Sequence, residues 1–201
     1  MTAGTEGYER FHEEFIDCCR TIDFNSACAE FKEFLPAIPA RILDIGSGAG
    51  QNAAALSGMG YDVTAIEPVP VFLEDSAAFY QRFSIQWVLD SLPELKVLDA
   101  AFGFYDFVLI NAVWHHLDNL ERNQSISRIA ALVANGGYCA VSLRNGPAGI
   151  GTRVFPTSLN TTIEQFQNRG FSCVFRVQNK PSILSNKRDV TWARAVFKKI
   201  T

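Results

Sequence analysis

Apolar residues alternate along the chain in two rhythms. Short, nearly unbroken apolar runs, ARILDI at 40–45, DVTAIE at 62–67, SIQWVL at 84–89, YDFVLIN at 105–111 and GYCAVSL at 137–143, read as strands covered on both faces. Segments of helical spacing lie between them, at Gln51 to Met59, Pro70 to Phe83 and Leu120 to Ala134, the last closed by the stop signal NGG at 135–137. This succession of strand, helix and strand predicts an α/β fold with a doubly wound, mostly parallel sheet.

After Leu143 the order changes. SLNTTIEQFQNRG at 158–170 reads as a helix, with Ser158 or Asn160 as its cap and Gly170 as its stop. The runs FSCVFRVQ and VTWARAVFKK follow with only the polar stretch NKPSILSNKRD between them, so they are expected to pair antiparallel at the end of the sheet. At the other end of the chain, Tyr8, Phe11, Phe15 and Cys19 share helical spacing, as do Phe24, Cys28, Phe31 and Leu35, before LPAIP at 35–39 breaks the pattern. Two amphipathic N-terminal helices within 1–38 are therefore expected ahead of a core at 40–201.

Composition narrows the partners. At 201 residues, 48% hydrophobic and 19% charged, the chain suits one soluble domain with a sizeable core. A net charge of −3, with no basic run longer than Lys187-Arg188 or Lys198-Lys199, speaks against nucleic acid as a partner. Cys18, Cys19, Cys28, Cys139 and Cys173 include no CxxC and no zinc-like spacing, which favours reduced thiols and no metal. The opening MTAGTEGYERFHEEF lacks the charged start and apolar core of a leader, and no window approaches a membrane span, so a cytoplasmic protein with no membrane partner is expected.

The chemistry gathers around ILDIGSGAG at 42–50, where Gly46, Gly48 and Gly50 follow a strand and let backbone come close to a ligand. Asp44-Ile45-Gly46-Ser47-Gly48-Ala49-Gly50 resembles motif I of the class I S-adenosylmethionine-dependent methyltransferases. Glu67 ends the second strand as that family's ribose-binding acid does, Asp90 ends the third in VLDSLPEL, and YDFVLINAVWHHLD looks like the fourth strand and its loop. The resemblance covers roughly 40–145 and implies a seven-stranded sheet whose antiparallel last strand is inserted, with S-adenosylmethionine as cofactor. It also implies roles. The loop of Gly46, Ser47, Gly48 and Gly50 would hold the ligand, Glu67 beside Pro68 would take the ribose hydroxyls, and Asp44 would meet the α-amino group. Asp90 would accept from the adenine amine while Leu89, Ser91 and Leu92 flank the base, and the backbone at Asn111 would complete the methionine end. A pyrophosphate fits less well, because the spacing is G-x-G-x-G and an acid stands directly in front of it.

The reaction implied is in-line transfer of a methyl group, for which positioning alone supplies several kcal/mol. No catalytic base is assigned: His115 and His116 are expected to pack or cap, and Trp114 to sit in the core. Arg144 and Arg153 read either as partners for an anionic substrate or as solvated loop charges. The segment after the fourth strand reads NAVW rather than the NPPY type associated with exocyclic amines, and with the acidic balance this favours a small-molecule acceptor. Tyr8, Phe11 and Phe15 give the N-terminal helices a face suited either to a lid or cap over the crevice, as the resemblance implies, or to packing on the sheet's flank. Two other functions stay open, a non-catalytic S-adenosylmethionine-binding module and a nicotinamide-dependent oxidoreductase.

Overall fold

The computed structural model describes residues 4–98 and 101–200. Its centre is β1 (Arg41–Ile45), flanked in parallel by β2 (Asp62–Glu67) and β4 (Tyr105–Ile110), with Ile42 opposite Val63 on one side and Phe107 on the other. β3 (Ile85–Leu89) extends the sheet beyond β2, and β5 (Val133–Asn145) extends it beyond β4. The last strand, β7 (Thr191–Lys199), lies between β5 and β6 (Phe171–Pro181) and runs antiparallel to both, giving the order β3-β2-β1-β4-β5-β7-β6. The inserted antiparallel strand is thus present. Strand order reverses between β1 and β4, and ligands of doubly wound sheets bind in the crevice beyond the carboxyl ends at such a point.

Alternation along the strands divides the core between the two faces. Leu43, Val108 and Ile110 pack with Ile126, Ile129 and Phe166, whereas Ile42, Val63, Phe107 and Leu109 pack with Leu56, Phe24 and Phe31. The helices covering these faces are α3 (Gln51–Gly58), α4 (Pro70–Phe79), α5 (Asn119–Leu132) and α6 (Leu159–Gln167). Two elements differ from expectation at their ends. α4 stops at Phe79 rather than Phe83, because Tyr80 leaves helical geometry and the chain turns with Phe83 N–H donating to the Tyr80 carbonyl. The NGG at 135–137 lies inside β5, since Leu132 passes directly into the strand at Val133. α5 starts on a reciprocal cap, Asp118 accepting the Glu121 N–H at 2.9 Å and Glu121 the Asp118 N–H at 2.7 Å.

The N-terminal stretch splits in two. α1 (His12–Arg20) is the first expected helix, and it places Ile16 against Val69 and Phe72 in a small cluster of its own. The second is broken. Asp23 caps a four-residue α2 (Phe24–Ala27), Cys28 departs from helical angles, and a 3₁₀ turn continues over Ala29–Phe34. Phe24, Cys28 and Phe31 are nonetheless buried in the main core, where each phenylalanine contributes about 1.5–3 kcal/mol.

Candidate active site

A cavity opens beyond the carboxyl ends of β1, β2 and β4, and its floor is the loop from β1 to α3. Gly46 adopts φ +72°, and a side chain there would begin 2.3 Å from Val113 Cγ2, so glycine lets the loop after β4 nest against it. Gly50, at φ +77°, ends the loop where a Cβ would stand 2.7 Å from Trp87. The loop is tied to β2 at several points. Gly46 and Ser47 N–H groups donate to the Ile66 carbonyl at 2.8 and 2.9 Å, and Gly48 N–H donates to Glu67 Oε2 at 2.8 Å. Glu67 Oε1 accepts the Val69 N–H at 2.9 Å. Four polar atoms on the cavity's residues are buried without a partner among the described residues, Ser47 Oγ, Gln51 Oε1, Asn52 Oδ1 and Arg194 Nε. In folded proteins such orphans ask for a ligand or water.

Gly46, Ser47, Gly48, Glu67, Pro68, Ser91, Leu92 and Asn111 line this cavity, whereas Asp44, Gly50, Leu89 and Asp90 do not. Asp44 lies behind the loop, fully buried, where its carboxylate accepts the Ala53 N–H at the start of α3 and Oδ2 has no partner. Burial and then the charge of Glu67 push the Asp44 carboxyl up to about 7, and burial alone pushes Glu67 up to about 7 against its two N–H donors. Asp90 spends both oxygens on its own loop, accepting from Ser91 N–H and Val97 N–H at 2.8 Å each. Leu89 is half exposed on the β3 edge.

The roof comes from the N-terminus. Tyr8, Phe15 and Cys19 line the cavity, and Phe15 Cε1 approaches within 3.3 Å of where a side chain on Gly48 would begin. Phe15 stacks on Phe72 at 4.8 Å, and Tyr8 meets both rings edge-on. Thr152 N–H donates to the Glu6 carbonyl at 3.0 Å, which fastens this segment to the loop after β5.

The two histidines part company. His115 is buried against Trp192, outside the cavity, while His116 lines it. His116 Nδ1 stands 2.8 Å from the Arg153 carbonyl and Nε2 stands 3.0 Å from the Tyr8 hydroxyl. A carbonyl only accepts, so Nδ1 carries the proton and the neutral ring offers the Nε2 lone pair to Tyr8. Burial is the main cause that lowers the His116 pKa, which keeps the ring neutral. Arg144 and Arg153 are both engaged within the protein, Arg144 buried and Arg153 partly exposed. Arg153 forks onto Glu121 at 2.9 and 3.0 Å, and Arg144 donates to the carbonyls of Gly146 and Pro147.

The far wall holds residues that sequence reasoning missed. Trp192 and Arg194 alternate on β7 toward the cavity, and Ile183 and Leu184 reach it from the loop before β7. Arg194 Nη1 donates to both Glu30 oxygens at 2.9 Å. An arginine at an otherwise apolar alternate position of β7 is the one signal that pointed there. Gln51 and Asn52 could have been found as the first helical residues after the glycines. Among the described residues, no group of three or more His, Cys, Asp or Glu side chains is placed to hold a metal ion, and no helix is long and apolar enough to cross a membrane.

Residues 43–141 match a family model described as a methyltransferase domain. An uncharacterised methyltransferase of Mycobacterium bovis is 32% identical over 96 residues, 47% of this chain and 37% of that protein. A ubiquinone biosynthesis O-methyltransferase of Rickettsia canadensis is 28% identical over 106 residues, covering 52% and 42%. The chain thus spans less than half the length of the curated relatives it matches. Among solved structures, the 1,6-didemethyltoxoflavin-N1-methyltransferase of Burkholderia thailandensis, with 1,6-didemethyltoxoflavin and S-adenosylhomocysteine bound, superposes with a TM-score of 0.70 at 20% identity, over 100% of this chain and 92% of that one. A TehB-like methyltransferase of Corynebacterium glutamicum gives 0.70 at 18% identity, over 95% and 97%. Residues 43–141 are thus similar to the methyltransferase domain family, and the chain shares its sheet order and overall fold with solved methyltransferases.

Proposed function

We propose that the chain holds S-adenosylmethionine on the β1–α3 loop and transfers its methyl group to a small-molecule acceptor beneath the N-terminal segment. The observation that carries this reading is the pair of buried acids, Asp44 and Glu67, both held well above the carboxylate range. Their ionised forms are costly where they stand, and a ligand bearing ammonium and sulfonium charges relieves that cost. A pyrophosphate raises it, which weighs against a nicotinamide dinucleotide. Glu67 has accepted one N–H on each oxygen and keeps a lone pair on each, enough for two ribose hydroxyls. Ser47, Gln51 and Asn52 offer orphaned polar atoms to the methionine end. Asp44 then acts at one remove, through its field and its hold on α3, and Asp90 by shaping the loop that carries Ser91 and Leu92.

When bound, the sulfonium ion supplies an electrophilic methyl group, and the chain's own contribution is to align the acceptor with it and exclude water. Residues 4–20 serve as the lid. Small acceptors are supported by the apolar walls, by the absence of a basic stripe, and by the names of two similar proteins, one acting in ubiquinone biosynthesis and one on didemethyltoxoflavin. The unpaired state of all five cysteines suits a cytoplasmic enzyme.

Calorimetry with S-adenosylhomocysteine and with NADH tests the cofactor, and labelled methyl donor offered with small-molecule acceptors, RNA and DNA tests the acceptor class. Heat with S-adenosylhomocysteine alone and label in a small molecule are expected. NADH binding in its place, or saturable labelling of nucleic acid, overturns the proposal.

A further inference from the structure

Resting on the methyltransferase reading, we infer that Tyr8 and His116 form a proton relay and that the acceptor is methylated on a phenolic oxygen. The tautomer fixed by the Arg153 carbonyl aims the Nε2 lone pair of His116 at Tyr8, and Tyr8 donates into it at 3.0 Å. The donor's own oxygen keeps its lone pairs for a third group in the cavity that both residues line. Room for the pair is reserved. A Cβ on Gly151 would stand 2.5 Å from Tyr8 Cε2 and 2.8 Å from His116 Cε1, so any larger residue would push them apart. His116 is held from outside by Arg153, whose guanidinium is clamped to Glu121 and donates to the His116 carbonyl.

The relay fits one acceptor chemistry. A hydroxyl that becomes an ether must shed its proton, and proton transfer is most effective between groups of similar acidity. Burial raises the Tyr8 hydroxyl above the range of a free phenol, so its oxygen takes up the proton of a phenolic acceptor as it hands its own to His116, whereas an aliphatic alcohol holds its proton too tightly to give it up. Phe15, Phe72 and Trp192 around the same cavity suit a flat ring. In the step, the acceptor oxygen forms its bond to the methyl carbon as the S–CH3 bond breaks, and that bond's electron pair stays on sulfur. The acceptor's proton passes to the Tyr8 oxygen while Tyr8's proton passes to His116 Nε2. The ring leaves the step as imidazolium, still donating from Nδ1 to the Arg153 carbonyl.

The test uses the full chain with catechol, 4-nitrocatechol, sarcosine and dithiothreitol as acceptors, alongside Tyr8→Phe and His116→Gln. Methylation of the catechols alone is expected. Each variant should lose about 10²–10⁴-fold in kcat on catechol with KM little changed, as removal of general acid–base help does. 4-Nitrocatechol, more acidic by its nitro group, should recover much of that loss, which a merely structural role for either residue would not produce. Nitrogen NMR of His116 gives a readout independent of turnover. Protonated Nδ1 with unprotonated Nε2 at neutral pH is expected, and the opposite tautomer overturns the relay. Failure of S-adenosylhomocysteine to bind the parent protein would overturn the underlying methyltransferase reading. Intact binding with label only on sarcosine or dithiothreitol, or on no acceptor of the panel, overturns the inference alone, as does variant kcat within about threefold of the parent.

Discussion

Glu67 accepts the Gly48 N–H at 2.8 Å, so the acid that ends β2 also holds the glycine loop in shape. Its second oxygen does the same for Val69 at 2.9 Å. Removing the carboxylate therefore takes away two loop restraints and, on the proposed reading, a partner of the ribose. Glu67→Ala should weaken S-adenosylhomocysteine by about 1.5–3 kcal/mol, roughly ten- to hundredfold, measured by calorimetry on protein whose circular dichroism is unchanged. Parental affinity in the variant would remove Glu67 from the site.

Asp44 makes a prediction about pH. Its carboxyl rises from 3.8 to about 7 on folding, so between those values the native state holds a proton that the unfolded chain has lost. The associated stability is complete below about pH 4 and disappears as pH rises through 7. Asp44→Asn removes this contribution while keeping an oxygen for the Ala53 N–H. Denaturant unfolding at pH 5, 6, 7 and 8 should show the parent gaining stability relative to the variant as pH falls. His115 and His116, both lowered by burial, tilt the two proteins alike and cancel in the difference. A difference that is flat or opposite in sign would mean that Asp44 is not a buried, strained acid.

Asp90 separates loop architecture from ligand binding. With both oxygens committed to Ser91 and Val97 N–H groups, Asp90→Ala should cost about 1–2 kcal/mol of stability and change S-adenosylhomocysteine affinity by no more than about threefold. A tenfold loss of affinity at unchanged stability would restore the adenine contact that the family resemblance implies.

The parallel strands and the glycine loop were legible because both are written in local pattern, whereas the insertion of the last strand came only with the family resemblance. Continuous apolar runs mark doubly covered strands, and G-x-G-x-G marks a backbone approached closely. The division of labour among the acids was not legible. A carboxylate at a strand end can line a cavity, hold a helix start or brace a turn, and Glu67 lines the cavity, Asp44 accepts from the start of α3 and Asp90 braces its own turn, all with the same local signature. The broken second helix was hidden as well, since Phe24, Cys28 and Phe31 keep helical spacing through a 3₁₀ turn and still reach the core. Contacts between distant segments leave no trace in sequence order. Tyr8 meets His116 across 108 positions and Arg194 meets Glu30 across 164.

That long-range stitching separates the N-terminal stretch into a roof and a foundation, which truncation can tell apart. Residues 4–20 contribute Ile16, Tyr8, Phe15 and Cys19 to the small cluster above the cavity and nothing to the two clusters that sandwich the sheet. Phe24, Cys28 and Phe31 belong to the sheet's own core, where truncating one phenylalanine to alanine costs about 3–5 kcal/mol, and Glu30 neutralises the buried Arg194. Deleting residues 1–20 should therefore leave a cooperatively folding protein that binds S-adenosylhomocysteine within about tenfold of the parent but has lost most acceptor turnover. Deleting residues 1–35 should give insoluble or unfolded chain. Thermal unfolding, calorimetry and methyl transfer on the two truncations distinguish these outcomes. A soluble 1–20 deletion with full turnover would end the lid reading and return the acceptor to the loops at 112–119 and 144–156. Collapse of that shorter truncation would instead make the small cluster of Ile16 and Phe72 as necessary to the fold as the sheet's own core.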